Sequence, residues 1–242
     1  MESETEVFKQ ISPVYGIYEI KENTELIFPL IKARITKAKE KSFFYSRIDS
    51  EGNQAEKIIP TDDGKIKIEI APIRPLNYPA RRTNFVFLKF EKEVFLSEGA
   101  STSFLVRCPI EIGIFLIHGS HKDSMDSFTC DPSRGRFGLY GSPDTGILCK
   151  YFKVPIVTSE LDSEIYQNCV IRLSFENQLD RGYSIERVVF PITDHSIYYE
   201  NEKAQIDPLQ VKLRKRGVVE FAEAAETPFQ NMTWNKSPSW AR

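Results

Sequence analysis

Along most of this chain hydrophobic residues recur at every second position. Ile66, Ile68 and Ile70 alternate with Lys65, Lys67 and Glu69. Cys169, Ile171, Leu173 and Phe175 alternate with Val170, Arg172, Ser174 and Glu176, and Leu209, Val211 and Leu213 with Gln210, Lys212 and Arg214. Successive side chains of a strand point to opposite faces, so this period describes strands with one face in a core and the other in water. Residues 84–90 and 110–117 are apolar on both faces and read as central strands covered on both sides. The pattern predicts further strands at residues 24–31, 41–48, 102–107, 147–156, 184–190 and 196–200.

Turn signals separate these segments at short intervals: Glu51–Gly–Asn, Asp62–Asp–Gly64, Glu98–Gly99, Asp180–Arg–Gly182 and Arg216–Gly217. Such punctuation favours an all-β chain over a βαβ fold. Val218, Phe221, Ala222 and Ala225 could share a helical face. The alternating strand just before Arg216–Gly217 favours a hairpin instead, with a strand over 218–222. The expected architecture is all-β, with two packed β-sandwich-like units, mostly antiparallel, and a short C-terminal extension. The units are placed at residues 1–97 and 98–226, with a single domain as the alternative, followed by a tail at 227–242 that carries both tryptophans. The proline-rich run from Pro72 to Pro79 reads as a stiff connector crossing between sheets.

Composition narrows the function classes. A net charge of −2 provides no field to attract nucleic acid or an acidic membrane. The densest basic run, Lys32, Arg34, Lys37, Lys39 and Lys41, reads as a solvated strand edge and turn. Residues 1–6 are acidic and lack the apolar centre of a signal peptide. The longest apolar stretch, 110–117, contains Glu111 and is too short to span a bilayer. Cys108, Cys130, Cys149 and Cys169 have no Cys-x-x-Cys spacing and sit in or beside apolar segments, so reduced, buried thiols and a cytoplasmic location are expected. The sequon at Asn231 carries no meaning without export.

Three clusters bear on chemistry. Glu111 shares a strand face with Gly113, Phe115 and Ile117, and a carboxylate among such neighbours needs a partner. Arg47 and Lys150 are the candidates, giving a structural polar cluster of Arg47, Glu111 and Lys150. The loop over 133–146 holds four glycines, which leave Arg134, Arg136 and Tyr140 to meet a ligand; two arginines and exposed amides suit a carboxylate or phosphate. It lacks the Lys–Ser/Thr ending and following helix of a P-loop. His118–Gly–Ser–His121, with Asp123, Asp126 and Cys130, matches no established zinc spacing, and a hydrophilic loop closing a strand pair accounts for it. There is no Gly-x-Ser-x-Gly elbow, and His195 sits in a turn-like Thr193–Asp–His–Ser196. No catalytic residue and no metal ligand is assigned.

At Pro109–Ile–Glu–Ile–Gly–Ile–Phe115 and from Leu139 to Tyr151 the chain resembles a known family, as it does at Val14–Tyr–Gly–Ile–Tyr18, Tyr45–Ser–Arg47 and Ile70–Ala–Pro–Ile–Arg–Pro75. This is an uncharacterised archaeal family, domain of unknown function 432, and the resemblance runs from Phe8 to about Thr227. It implies an archaeal cytoplasmic protein and supplies no activity, substrate or catalytic residue. The expected function is a non-enzymatic binding or interaction module without a cofactor. Its partner would be a small anion or a protein, not nucleic acid, and it would not insert into a membrane. The alternative is a hydrolase or carbohydrate-active enzyme with a carboxylate-based cleft.

Overall fold

A computed structural model describes residues 7–39, 41–131, 133, 135–159, 163–216, 219–226 and 233–240. The alternating segments form β1 (Lys9–Ile11), β2 (Gly16–Ile20), β3 (Thr24–Phe28), β4 (Ile31–Lys39), β5 (Ser42–Ile48), β6 (Gln54–Pro60) and β7 (Ile66–Ile73). Next come β8 (Phe85–Leu96), β9 (Ser101–Pro109), β10 (Glu111–His118), β11 (His121–Phe128), β12 (Phe137–Tyr140), β13 (Ile147–Val154) and β14 (Ile156–Val157). The chain continues with β15 (Asn168–Asn177), β16 (Tyr183–Pro191), β17 (Ile197–Glu200), β18 (Lys203–Ile206), β19 (Leu209–Arg216), β20 (Val219–Glu226) and β21 (Asn235–Lys236). The fold is all-β and mostly antiparallel. No helix among the described residues is long and apolar enough to cross a membrane.

The strands make four sheets. The first runs β1–β3–β4–β5–β6 and the second β11–β10–β7–β2. The third runs β12–β13–β8–β16, with β13 and β8 parallel. The fourth runs β14–β9–β15–β18–β17–β21, and β19 and β20 extend it from β15. The second sheet joins β2 and β7, from before the turn at Glu98–Gly99, to β10 and β11 from after it. One apolar core draws on all four sheets, through Leu26 and Phe43, Ile70 and Ile114, Leu88 and Val188, and Val106 and Leu173.

Several boundaries differ from the sequence expectation. The strand expected at 24–31 stops at Phe28, because Leu30 adopts a left-handed φ of 62° and the chain turns back into β4. The strand expected at 147–156 breaks at Pro155, which has no N–H to continue a ladder. The polar run after His121 is itself a strand, β11. It lies at a sheet edge with Met125 and Phe128 turned to the core, so the other face is free to be polar. Residues 137–140, expected as part of a glycine loop, pair with β13 from Phe137↔Lys150 to Tyr140↔Ile147. Beyond them Gly141 takes a φ of 107°, and a Cβ at Gly146 would come within 2.5 Å of the Ser142 carbonyl, so the turn itself demands glycine. The two strands of the expected hairpin pair antiparallel from Arg216↔Val219, while Gly217 and Val218 lie outside the described residues.

Candidate functional site

β10 lies between β11 and β7, so both of its edges are paired. Glu111, at its start, is 3% exposed and turns its carboxylate onto the proline-rich connector after β7. It accepts the Asn77 backbone N–H at 2.9 and 3.1 Å, the Tyr78 N–H at 3.0 Å and the Asn77 side-chain amide at 2.9 Å. Burial pushes its pKa up to about 7, against the opposing pull of the Tyr78 and Asn77 donors and of Lys150. Lys150, 1% exposed, comes from β13. Its ammonium donates to the Tyr78 carbonyl and stands 4.6 Å from the Phe137 ring centroid. Burial lowers its pKa, while Glu111 raises it. Both residues thus hold the Asn77–Tyr78 backbone, the carboxylate through its N–H groups and the lysine through a carbonyl. A stiff connector is fixed at a corner between two sheets in this way.

The structure separates Arg47 from that cluster. Its Nε donates to Asp126 Oδ2 at 2.6 Å, and the Tyr45 hydroxyl donates to the same oxygen at 2.7 Å. Asp126 is not evident as the partner from sequence, because its polar neighbours have the composition of a loop. With β11 as a strand, Asp126 opposes Ile114 and turns toward β5. His118 and His121 close the β10–β11 hairpin, the hydrophilic loop expected there. Among the described residues no group of three or more His, Cys, Asp or Glu side chains is placed to hold a metal ion. All four cysteines are free and buried.

Of the three expected ligand residues, Arg134 lies outside the described residues. Arg136 borders a cavity of about 350 Å³ with Arg107, Lys153, Tyr151, Asp131 and Glu164. Tyr140 does not line it; its ring packs edge-on against Phe87 at 5.9 Å, under the Arg187 guanidinium. Tyr151 packs on the same Phe87 from the cavity side. Arg107 Nη1 pairs with Glu164, and its Nε is buried without a hydrogen-bond partner. Asp131 accepts the Ser133 N–H and hydroxyl. Arg107 and Lys153 do not stand out in sequence because they lie on different strands, β9 and β13. The available signal is the outward parity that Lys153 shares with Tyr151.

A family model described as protein of unknown function (DUF432) matches residues 14–242, and the chain belongs to that family. No curated protein and no solved structure matches it.

Proposed function

We propose that this chain is a non-enzymatic binding module that holds a small organic anion in the cavity bounded by Arg107, Arg136 and Lys153. The observation that supports the reading is the unpartnered, buried Arg107 Nε beside two further cations on the same cavity wall. A buried donor without an acceptor costs free energy, and a carboxylate arriving there would supply the acceptor. Asp131 and Glu164 on the same lining restrict the ligand to one that also tolerates nearby negative charge, through a hydroxyl or amino group. Four unpaired, buried thiols support a cytoplasmic setting.

The hydrolytic alternative finds less support. Glu111 is a carboxylate with a raised pKa, but the cavity it borders holds only about 10 Å³ and, among the described residues, is lined by no second acid. General acid–base chemistry needs a substrate within hydrogen-bond reach of both groups.

The test is thermal stabilisation by small di- and tricarboxylates, with wild type compared to a variant carrying Arg136→Gln and Lys153→Gln. Both side chains are exposed, so the variant should melt like wild type without ligand. Saturable, salt-sensitive stabilisation that disappears in the variant is the expected result. Equal stabilisation of both proteins would reject the site.

A further inference from the structure

A second cavity, apart from the one above, lies where β7 leaves its sheet and the C-terminal strand β21 crosses the end of β17. It holds about 130 Å³, and Arg74, Arg81 and Lys236 line it together with Ser196, Ser237 and Trp240. Among the described residues no carboxylate lines it. Arg74 Nε and Nη2 both donate to the His195 carbonyl, at 3.0 and 2.8 Å. Among the described residues no acid lies within ion-pair distance of Arg74, Arg81 or Lys236. Asp194 and Asp207 act on Arg74 only from further away, and Asp207 is engaged by the Ser196 N–H at 2.7 Å. Arg81 donates to the Asn84 side chain at 3.1 Å.

Guanidinium groups stay charged in proteins, and Arg74 and Arg81 repel each other across a concavity that Lys236 also lines, so an anion there would be favoured. Arg74 and Lys236 stand far apart in the chain, and the fold still brings them to one wall. The C-terminal segment is fastened there: the Ser237 N–H donates to the Ile197 carbonyl at 2.8 Å and its hydroxyl to the Pro72 carbonyl at 2.6 Å. Trp240 packs edge-on to Phe115, 5.6 Å between centroids.

We infer that this cavity binds a phosphate group, with Arg74, Arg81 and Lys236 on its oxygens and the C-terminal segment as one wall. Three cations on one lining, with no acid there among the described residues, match a doubly charged oxyanion better than a monocarboxylate. The volume accommodates the phosphate group itself, and Pro238 and Trp240 at the margin offer apolar surface to an organic remainder.

Calorimetric titration of the whole chain with inorganic phosphate, phenyl phosphate and acetate tests this. Phosphate should bind saturably and at least about ten-fold more tightly than acetate. A phosphate monoester as the natural ligand predicts that phenyl phosphate binds more tightly than inorganic phosphate; free phosphate as the natural ligand predicts the reverse. Arg81→Gln and Lys236→Gln, both at exposed positions, should each weaken phosphate binding about ten-fold or more, the loss of one hydrogen bond to a charged group, while leaving the melting temperature unchanged. Arg136→Gln should leave phosphate binding intact. In a Trp234→Phe variant, the fluorescence of Trp240 should follow the same binding curve. The inference is overturned if phosphate does not saturate, if acetate binds equally well, or if Arg81→Gln and Lys236→Gln bind like wild type. It is also overturned if Arg136→Gln is the substitution that abolishes binding, since the ligand would then occupy the other cavity.

Discussion

Replacing Glu111 by alanine should destabilise the protein by about 3–5 kcal/mol, because several buried donors lose their acceptor at once. The contacts account for that size. Two backbone N–H groups, of Asn77 and Tyr78, and the Asn77 side-chain amide lose their acceptor. A buried donor left unpaired costs about 1–3 kcal/mol. Lys150, almost wholly buried, also loses the neighbouring negative charge. In a chain of this length the loss corresponds to a fall of about 10 °C in melting temperature. Glu111→Gln keeps the shape and one acceptor oxygen, so it should lose less than alanine.

The same residue sets a pH dependence whose sign follows from burial. Its pKa is raised to about 7 in the folded protein, against an ordinary 4.5. Between those values the native state holds a proton that the unfolded chain has released, so stability falls as pH climbs through the window. The fall amounts to roughly 3 kcal/mol and is complete above about pH 7. Lys150, whose pKa is lowered, acts in the opposite sense: the folded protein releases its proton first, and stability rises as pH climbs toward the ordinary lysine value. Urea unfolding of wild type and Glu111→Gln at a series of pH values isolates the carboxylate, because the difference between the curves removes other titrations. Equal slopes between pH 5 and 7 would refute the burial argument, and an unchanged stability of Glu111→Ala would refute its role in holding the connector.

Gly113→Ala should cost about 1–3 kcal/mol in equilibrium unfolding, because the added methyl meets the Phe115 ring at 2.7 Å and Ile73 at 2.9 Å in the core; unchanged stability would mean that Phe115 can swing aside. Asp126→Asn should cost about 3 kcal/mol by the same measurement, since Arg47 and Tyr45 share that carboxylate, whereas Tyr45→Phe should cost about 1 kcal/mol. The four thiols should react with an aromatic disulfide only as the protein unfolds: burial pushes Cys130 up to about 12 and Cys149 up to about 11, leaving little thiolate at neutral pH. Rapid labelling of the native protein would contradict their burial.

Strands with a strong period are legible in the amino-acid sequence alone. Residues 171–177 and 209–213 alternate because one face packs on the core and the other is more open to water, and that contrast is a local property of the sequence. Glu111 is legible for the same reason, as a charge on a strand apolar on both faces. β11 is not, because an edge strand may carry polar residues on its free face and then has the composition of a loop. Likewise β12 is short and glycine-flanked, and only its cross-strand partners on β13 hold it in a ladder.

Partnership is the harder inference, and two of the buried carboxylates, Glu111 and Asp126, show why. Arg47 and Lys150 look equivalent in sequence as counter-charges for Glu111, since each lies on a strand face that alternation turns inward. Packing between sheets decides between them: β10 begins beside the connector, where β13 of another sheet delivers Lys150, while β11 carries Asp126 to Arg47 and Tyr45 on β5. Period reports which way a side chain points and says nothing of which other face it will meet. The candidate binding residues carry the same lesson further. Arg107, Arg136 and Lys153 come from two strands and a loop, and Arg74 and Arg81 from one connector with Lys236 far along the chain. In each set the residues are ordinary surface cations in sequence. In the proposed reading their significance lies in a shared cavity lining, a property that only the assembled sheets possess.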